Sequence, residues 1–298
     1  MRLLSSRVPY SAIVDRPPLR LPDKGRLVVW TIVNVEEWSI ERAMPRTVLS
    51  PPMSTTAGQP LLPDLPNWAW HEYGMRVGFW RLLETLQRFK VVPTLAINGS
   101  VCKTYPRIAQ AAREACWEFM GHGYVQRPMH HLENQKQAID DTIAAIRECT
   151  GKTPRGWESP GLTETPETID LLAAAGIEYV ANWPVDDQPC RIETAQGHVV
   201  GLPYTLEMND IAMMVVQHHP SEEWLRRGIE QFERLYAESE SITRIMALSV
   251  HPYVSGVPHR IGAIEKLYAH IASRPGVLHW TGEGILDWYV AETAKEAR

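Results

Sequence analysis

Short apolar runs alternate with amphipathic stretches along most of the chain. The run 27–33 is continuous and rich in β-branched residues, which predicts a buried strand. From Tyr73 onward apolar residues recur at three-residue steps, and 132–149 places its apolar residues on one face before Gly151, so both stretches predict helices. The same patterns predict further strands at 94–99, 117–120, 155–158, 179–182, 199–203, 245–250 and 277–280, and further helices at 106–115, 165–176, 222–239 and 261–272.

This alternation predicts repeated βα units on a parallel sheet. About seven strands over this length favour a barrel over an open sheet, so the predicted fold class is an α/β barrel. Residues 1–26 are rich in Pro and Arg and lack periodicity, which predicts an extended arm on the surface or across a neighbouring subunit. Residues 27–298 would then form a single barrel domain, with 44–68 as a long loop of functional importance.

Composition narrows the class of protein. The 298 residues carry a net charge of −5 without a basic patch, which argues against nucleic acid as a partner. The four cysteines are widely spaced and form no CxxC pair, which is typical of buried thiols in a reducing cytoplasm. We see no signal peptide, and no apolar run approaches the ~20 residues of a membrane span. The expected location is the cytoplasm.

Polar clusters follow the predicted strands at the points where the strands end. They are Glu36 with Glu37, Asn98, His122, Glu158, 182–187 and His251. In a βα barrel the chemistry takes place at the carboxyl ends of the strands. The sequence therefore predicts that these residues meet at one rim.

Glu36 and Glu37 are adjacent carboxylates at the end of a buried strand. Two carboxylates held close together cannot both ionise freely, so one would have a raised pKa and serve as a base. The alternative is that both are solvated glutamates in a loop.

Two histidines are candidates for proton transfer. His122 stands between Gly121 and Gly123, which keep the space around its ring open. His251 ends a late strand, and Pro252 stiffens the chain after it, which suits proton donation to a leaving amine. The alternative for each is a histidine that bonds to the backbone at a turn.

Aromatic and polar residues near the strand ends are candidates for substrate binding. Several of the eleven tryptophans stand beside Gly, Pro or acidic residues, which suggests the walls of a pocket as much as a core. The candidates are Trp38, Asn98, Trp157, Glu158, Trp183, Asp187, Tyr204 and Asn209. For the two loops that carry Asp187 and Asn209, the alternatives are an Asx-type turn and an ordinary polar loop.

The order of these motifs resembles the polysaccharide deacetylase family, which has NodB homology and includes carbohydrate esterase family four. The nearest branch is similar to its cytoplasmic, allantoinase-like members. The pieces that carry the resemblance are Asn34-Val35-Glu36-Glu37, Glu72-Tyr73-Gly74-Met75-Arg76-Val77-Gly78, Gly121-His122-Gly123-Tyr124, Gly156-Trp157-Glu158-Ser159-Pro160-Gly161, Asn182-Trp183 with Asp186-Asp187, Pro203-Tyr204-Thr205-Leu206 with Asn209-Asp210, and Leu248-Ser249-Val250-His251-Pro252.

The resemblance implies a distorted, seven-stranded βα barrel and a hydrolase of non-peptide carbon–nitrogen bonds. In the deacetylases a pair of acids ends the first strand, the first acting as base and the second binding a divalent metal. By position these are Glu36 and Glu37. A His-x-x-x-His motif supplies two further metal ligands, which here would be His122 and Gln126, and a late histidine, here His251, protonates the leaving amine.

Two departures from the family pattern bear on the metal. The acid pair is Glu-Glu instead of Asp-Asp, and Gln126 replaces a histidine although zinc prefers His, Cys and carboxylate ligands. The allantoinase-like branch is thought to work without metal. We therefore expect an amidohydrolase without a cofactor, acting on a small molecule or an amino sugar. The Pro-rich arm and the resemblance to the allantoinase-like branch also suggest a homo-oligomer.

Two alternatives to this expectation stay open. One is a zinc-dependent N-deacetylase of an amino sugar, with Glu37, His122 and Gln126 as the metal ligands. The other, from a different class, is a barrel that binds a ligand without catalysis.

Overall fold

The computed structural model describes residues 4–42 and 62–296. The described residues form nine strands in one sheet: β1 (Leu27–Val35), β2 (Thr94–Ile97), β3 (Glu118–Gly121), β4 (Gly156–Trp157), β5 (Tyr179–Val180), β6 (Cys190–Thr194), β7 (Gly197–Gly201), β8 (Arg244–Val250) and β9 (Val277–His279).

The α-helices of the described residues are α1 (Leu65–Tyr73), α2 (Phe79–Arg88), α3 (Val101–Thr104), α4 (Pro106–Glu114), α5 (Gln135–Thr150), α6 (Thr168–Ala174), α7 (Ser221–Glu238), α8 (Pro252–Ser255), α9 (Ile261–Ala272) and α10 (Gly282–Glu296). Wider, π-helical turns occupy Gly74–Gly78, between α1 and α2, and Ile211–Val216, before α7. Short 3-10 turns lie at Leu4–Arg7, Ile13–Asp15, Pro22–Lys24, Met129–His131 and Pro160–Leu162.

The sheet has the order β6-β7-β5-β4-β3-β2-β1-β8. The described strands from β7 to β8 in this order run parallel, β6 forms an antiparallel hairpin with β7, and β9 pairs with the first residues of β1. Within the described residues no ladder joins β7 to β8. A single bridge, Asn209–Ser249, and a hydrogen bond from the Ile245 amide to the Asp187 carbonyl span this seam. The predicted α/β fold, a distorted barrel, is confirmed.

Side chains on β1 alternate between two cores, as the pleat of a strand requires. Val28, Trp30 and Ile32 pack inside the barrel with residues of β5, β7 and β8, and α10 contributes Ile285 and Leu286 to this inner core. Leu27, Val29, Val33 and Val35 pack outward against the helices. This alternation decides which residues beyond the strand ends can face the interior.

Most predicted elements are present, with ends that differ by a few residues. The long loop predicted at 44–68 is wrong at its end, because α1 begins at Leu65; residues 43–61 lie outside the described residues. The sequence analysis missed β6, which has a mixed pattern of buried and exposed residues, and α10, whose first turn contains Gly282 and Gly284. It also missed the turn Ile211–Val216, whose uniformly apolar residues show no periodicity.

The described part of the N-terminal arm lies against its own chain. The Arg7 guanidinium forms an ion pair with Asp170 at 2.6 Å, and Arg16 forms one with Asp186 at 2.5 Å. Leu19 is buried, and its carbonyl accepts a hydrogen bond from Thr243. The boundary between arm and barrel stays a prediction.

Glycines allow α8 to approach the turn between α1 and α2. A Cβ atom at Gly78 would lie 2.1 Å from the Pro252 carbonyl oxygen, and one at Gly74 would lie 2.7 Å from the Tyr253 nitrogen. These are backbone atoms that cannot move aside. The close contact fixes Tyr253, the residue two positions after His251.

We predict that Gly78→Ala lowers the free energy of unfolding by about 1–3 kcal/mol, because the added methyl group overpacks this contact. Gly262→Ala is the matched control, since Gly262 lies on α9 and a Cβ there meets nothing within 4 Å. The control should be neutral or stabilising by up to about 1 kcal/mol. Chemical denaturation measures both variants, and equal stability for the two would contradict the close approach.

Candidate active site

Five side chains continue the inward-facing alternation of their strands past the strand ends. Glu36 follows Ile32 and Asn34 on β1, and the other four are His122 after β3, Glu158 after β4, Tyr204 after β7 and His251 after β8. All five line one cavity of about 430 Å³. The predicted meeting of separate strand ends therefore occurs for this set.

The carboxylate of Glu36, at the wall of this cavity, is the group that the surrounding polar side chains contact in common. Its Oε1 atom lies 3.5 Å from His122 Nε2 and 3.4 Å from His251 Nε2, and it accepts a hydrogen bond of 2.8 Å from the Gln126 amide. Its Oε2 atom accepts hydrogen bonds from Tyr253 Oη at 2.9 Å and Trp38 Nε1 at 3.1 Å. Only 7% of the residue is exposed, so these contacts replace solvent around the charge.

His251 is held by a buried carboxylate. Its Nδ1 donates to Asp210 Oδ1 at 2.7 Å, and its backbone amide donates to the other oxygen of Asp210 at 2.7 Å. Ser255 also donates to Asp210, at 2.6 Å. The imidazole therefore presents Nε2 to Glu36 with its orientation fixed from behind.

His122 is oriented by the backbone of a neighbouring strand end. Its Nδ1 donates to the Glu158 carbonyl oxygen at 2.7 Å, which directs Nε2 toward Glu36. The Glu158 carboxyl is buried beside it, and its Oε2 atom has no hydrogen-bond partner among the described residues.

The charges in this group shift the pKa values in opposite directions. Burial opposes ionisation of Glu36, but His251 and His122 outweigh it and hold the pKa of the carboxyl well below its ordinary value. Burial likewise disfavours a charged His251, yet Asp210 and Glu36 raise the pKa of its ring to about 10. Burial raises the pKa of Glu158. At neutral pH the site holds an ionised Glu36 against a cationic His251. The sequence analysis expected one member of the Glu36–Glu37 pair to have a raised pKa, whereas the pKa of Glu36 is lowered.

The ligands predicted for the metal alternative do not converge. The amide nitrogen of Gln126 donates to Glu36, and its amide oxygen accepts a hydrogen bond of 3.1 Å from Asn98. The oxygen that could bind a metal is therefore already bonded. The carboxylate of Glu37 does not line the cavity. Among the described residues, no group of three or more His, Cys, Asp or Glu side chains is arranged to hold a metal ion.

Most of the predicted substrate-binding residues that remain lie in or directly behind the cavity. Trp38 and Asn209 line the cavity with Glu158 and Tyr204. Asn98 lies behind it and positions two neighbours, because it accepts from the Glu37 amide and donates to Gln126.

Four of the predicted residues do not line the cavity, and their functional roles stay predictions. Glu37 has the opposite parity to Glu36 and turns away. Trp157 alternates with Glu158 and is buried in a separate apolar cluster with Val180, Ile192 and Val199. The indole of Trp183 donates to Glu164 at 3.1 Å, outside the cavity. Asp187 lies 3.7 Å from Arg244 at the seam of the barrel, on a separate surface pocket.

The sequence analysis did not select three residues that contribute to the site. Asp210 stands within a quoted motif and Tyr253 directly follows one, but no local pattern connects them to His251 or Glu36. His71 lies on α1, where its ring is 4.2 Å from Tyr253 and 4.6 Å from Trp38, centroid to centroid. Burial lowers its pKa, so it lines the cavity as a neutral ring.

Known proteins share this arrangement of the chain. Residues 71–180 match the sequence model of the polysaccharide deacetylase family. This segment is therefore similar to a polysaccharide deacetylase domain. A Schizosaccharomyces pombe protein whose name places it among the polysaccharide deacetylases is 25% identical over 91% of this chain and 92% of its own length. A peptidoglycan deacetylase of Helicobacter pylori is 22% identical over 74% of this chain and 86% of its own.

Solved structures of the same fold align with nearly all of the chain. A probable polysaccharide deacetylase from Pseudomonas aeruginosa PAO1 aligns with a TM-score of 0.82 and 24% identity, over 95% of this chain and 98% of its own. A PuuE allantoinase aligns with a TM-score of 0.84 and 23% identity, over 95% and 97%. The family match and the named relatives confirm the predicted enzyme class, a deacetylase-like hydrolase of non-peptide carbon–nitrogen bonds.

We predict that Asp210→Asn lowers the pKa of His251 from about 10 toward its ordinary value, because the anion that favours the charged ring is removed. The variant should lose the imidazolium at a pH at least about one unit lower than the wild type does. Titration of the histidine ring carbons by NMR measures this without a substrate. Asp187→Asn, at a half-buried carboxylate outside the cavity, is the control and should leave His251 unchanged. An unaltered His251 titration in Asp210→Asn would contradict the assignment.

Proposed function

We propose that this deacetylase-like hydrolase cleaves an amide or ureide bond of a small molecule, with Glu36, His251 and His122 as the reacting groups. The observation that carries the proposal is the position of one carboxylate oxygen between two imidazoles. Glu36 Oε1 lies within 3.5 Å of both Nε2 atoms, at the wall of a cavity that is large enough for a small ligand.

Glu36 would act as the base. In the resting site the imidazolium contacts make it a weak one, since they stabilise the ionised form. A substrate carbonyl that takes hydrogen bonds from the histidines removes part of this stabilisation. Glu36 then accepts a proton from water as the water oxygen attacks the carbonyl carbon.

His251 and His122 would supply the two donors that the reaction needs. One ring, which we assign to His122, donates a hydrogen bond to the developing oxyanion, a contribution of several kcal/mol in comparable sites. The other, which we assign to His251, gives its Nε2 proton to the leaving nitrogen as the carbon–nitrogen bond breaks. Asp210 behind His251 keeps the ring charged until this transfer.

The named relatives support two kinds of substrate. Two sequence relatives carry the names of deacetylases of polysaccharide or peptidoglycan, and one structural neighbour is an allantoinase. We favour the allantoinase-like chemistry, because Gln126 is bonded to Glu36 and does not stand free as a metal ligand.

The cytoplasmic location and the homo-oligomeric state stay predictions. Within the described residues, no helix has the length and apolar character needed to cross a membrane. Light scattering on the purified protein would decide its oligomeric state.

We predict that Glu36→Gln lowers kcat/KM by about 100- to 10,000-fold, the usual contribution of a general base. Glu37→Gln, one residue away, should cause a much smaller loss because its side chain does not reach the cavity. Both variants are assayed against a panel of cyclic ureides, cyclic imides, formamides and N-acetylated sugars, with and without added zinc and chelator.

Two outcomes would overturn the proposal. Stoichiometric zinc, with activity lost on chelation and in Glu37→Gln, would establish the metal-dependent N-deacetylase instead. Ligand binding without turnover of any compound in the panel would establish a non-catalytic barrel.

A further inference from the structure

The cavity has two chemically different sides. The reacting groups, with Glu158 and Tyr204, form a polar floor at the strand ends. The turn Ile211–Val216 contributes apolar side chains to the lining of the cavity, and Leu162 and Leu206 add to them. We refer to Leu162, Leu206, Ile211, Ala212, Val215 and Val216 together as the apolar wall.

The apolar wall is attached firmly to the fold. Met213 and Met214, in the middle of the turn, are buried in the outer core, while Ile211 and Val215 on either side line the cavity. The side chain of Asn209 accepts a hydrogen bond of 2.8 Å from the Ile211 amide and fixes the start of the turn. The wall is therefore built before a ligand binds.

Aliphatic side chains at the outer end of the wall are exposed. Leu206 and Val216 each show 52% of their surface to solvent. Exposed aliphatic groups beside a cavity are favourable only when a ligand covers them, since contact with water opposes them otherwise. The mouth of the cavity is thus suited to the apolar part of a bound molecule.

Charge limits the ligand further. Among the described residues that line the cavity, none is lysine or arginine. The ring of His251 is already paired with Asp210 and Glu36, and Glu36 and Glu158 would repel a ligand carboxylate. An anionic substituent would therefore find no partner beside the wall.

We propose that the substrate is a small, uncharged amide or ureide that carries an apolar substituent, which packs against the apolar wall. The inference rests on the proposed hydrolysis for the amide or ureide part alone. Val216 at the mouth is a specificity-determining residue in this arrangement, and a polysaccharide chain is not the ligand that the wall selects.

Three probes test the inference: hydantoin, 5-phenylhydantoin and hydantoin-5-acetic acid, with a chito-oligosaccharide as the polymeric ligand. Binding is measured by calorimetry on the wild-type protein and on Glu36→Gln, and turnover is measured separately on the wild type. We expect 5-phenylhydantoin to bind about tenfold or more tightly than hydantoin, from the apolar area that the ring buries. The acid should bind more weakly than hydantoin.

A matched pair of variants locates the effect. Val216→Asp should reduce the preference for the phenyl probe over hydantoin at least about fivefold, because it places a charge where the ring packs. Val290→Asp is the control, since Val290 on α10 is 53% exposed and does not line the cavity. It should leave the preference intact.

The results separate this inference from the proposed hydrolysis. Equal binding of hydantoin and 5-phenylhydantoin overturns the inference, as does tightest binding of the acid or of the oligosaccharide. A preference lost equally in Val290→Asp also overturns it. A clear phenyl preference without turnover supports the inference and counts against the hydrolysis. Turnover without a phenyl preference supports the hydrolysis and overturns the inference.

Discussion

The buried carboxylate of Glu36 is the constraint around which the site is built. Moving an ionised carboxylate out of water costs several kcal/mol unless other groups replace its solvation. Here Tyr253, Trp38 and Gln126 donate hydrogen bonds, two imidazoles lie within 3.5 Å of Oε1, and His251 supplies positive charge. Asp210 in turn keeps His251 charged. Because these groups come from three separate parts of the chain, residues 36–38, 122–126 and 251–253, the site assembles only when the barrel does.

Alternation along the strands explains how much of the site the sequence could predict. The strand predicted at 27–33 was clear from its apolar run, and of the two glutamates that follow it Glu36 lines the cavity. The same alternation also separates Glu36 from Glu37, since Val28, Trp30, Ile32 and Asn34 precede Glu36 at even spacing. Applied to 156–158, it would have favoured Glu158 over Trp157.

Contacts between distant segments could not be predicted in this way. No local pattern indicates that Asp210 would hold His251, or that Gln126 would bond to Glu36 across 90 positions of sequence. His71 lies before the helix that the sequence analysis predicted from Tyr73, and nothing local marks it as a site residue until the aromatic contacts with Trp38 and Tyr253 are known. Such contacts depend on tertiary packing, which periodicity and propensity do not encode.

Hydrogen bonds across the seam between β7 and β8 connect the start of the apolar wall to β1. Ser249 on β8 bonds to the Asn34 side chain on one side and to the Tyr204 hydroxyl on the other, and Tyr204 accepts from Asn209. A continuous polar chain therefore links the strand of Glu36 to the residue where the wall begins. Exchanging side chains at 211, 215 or 216 leaves this chain untouched, whereas an insertion between 204 and 209 would break it. Relatives on this scaffold can accordingly diversify their ligands by point substitution much more easily than by changing loop length.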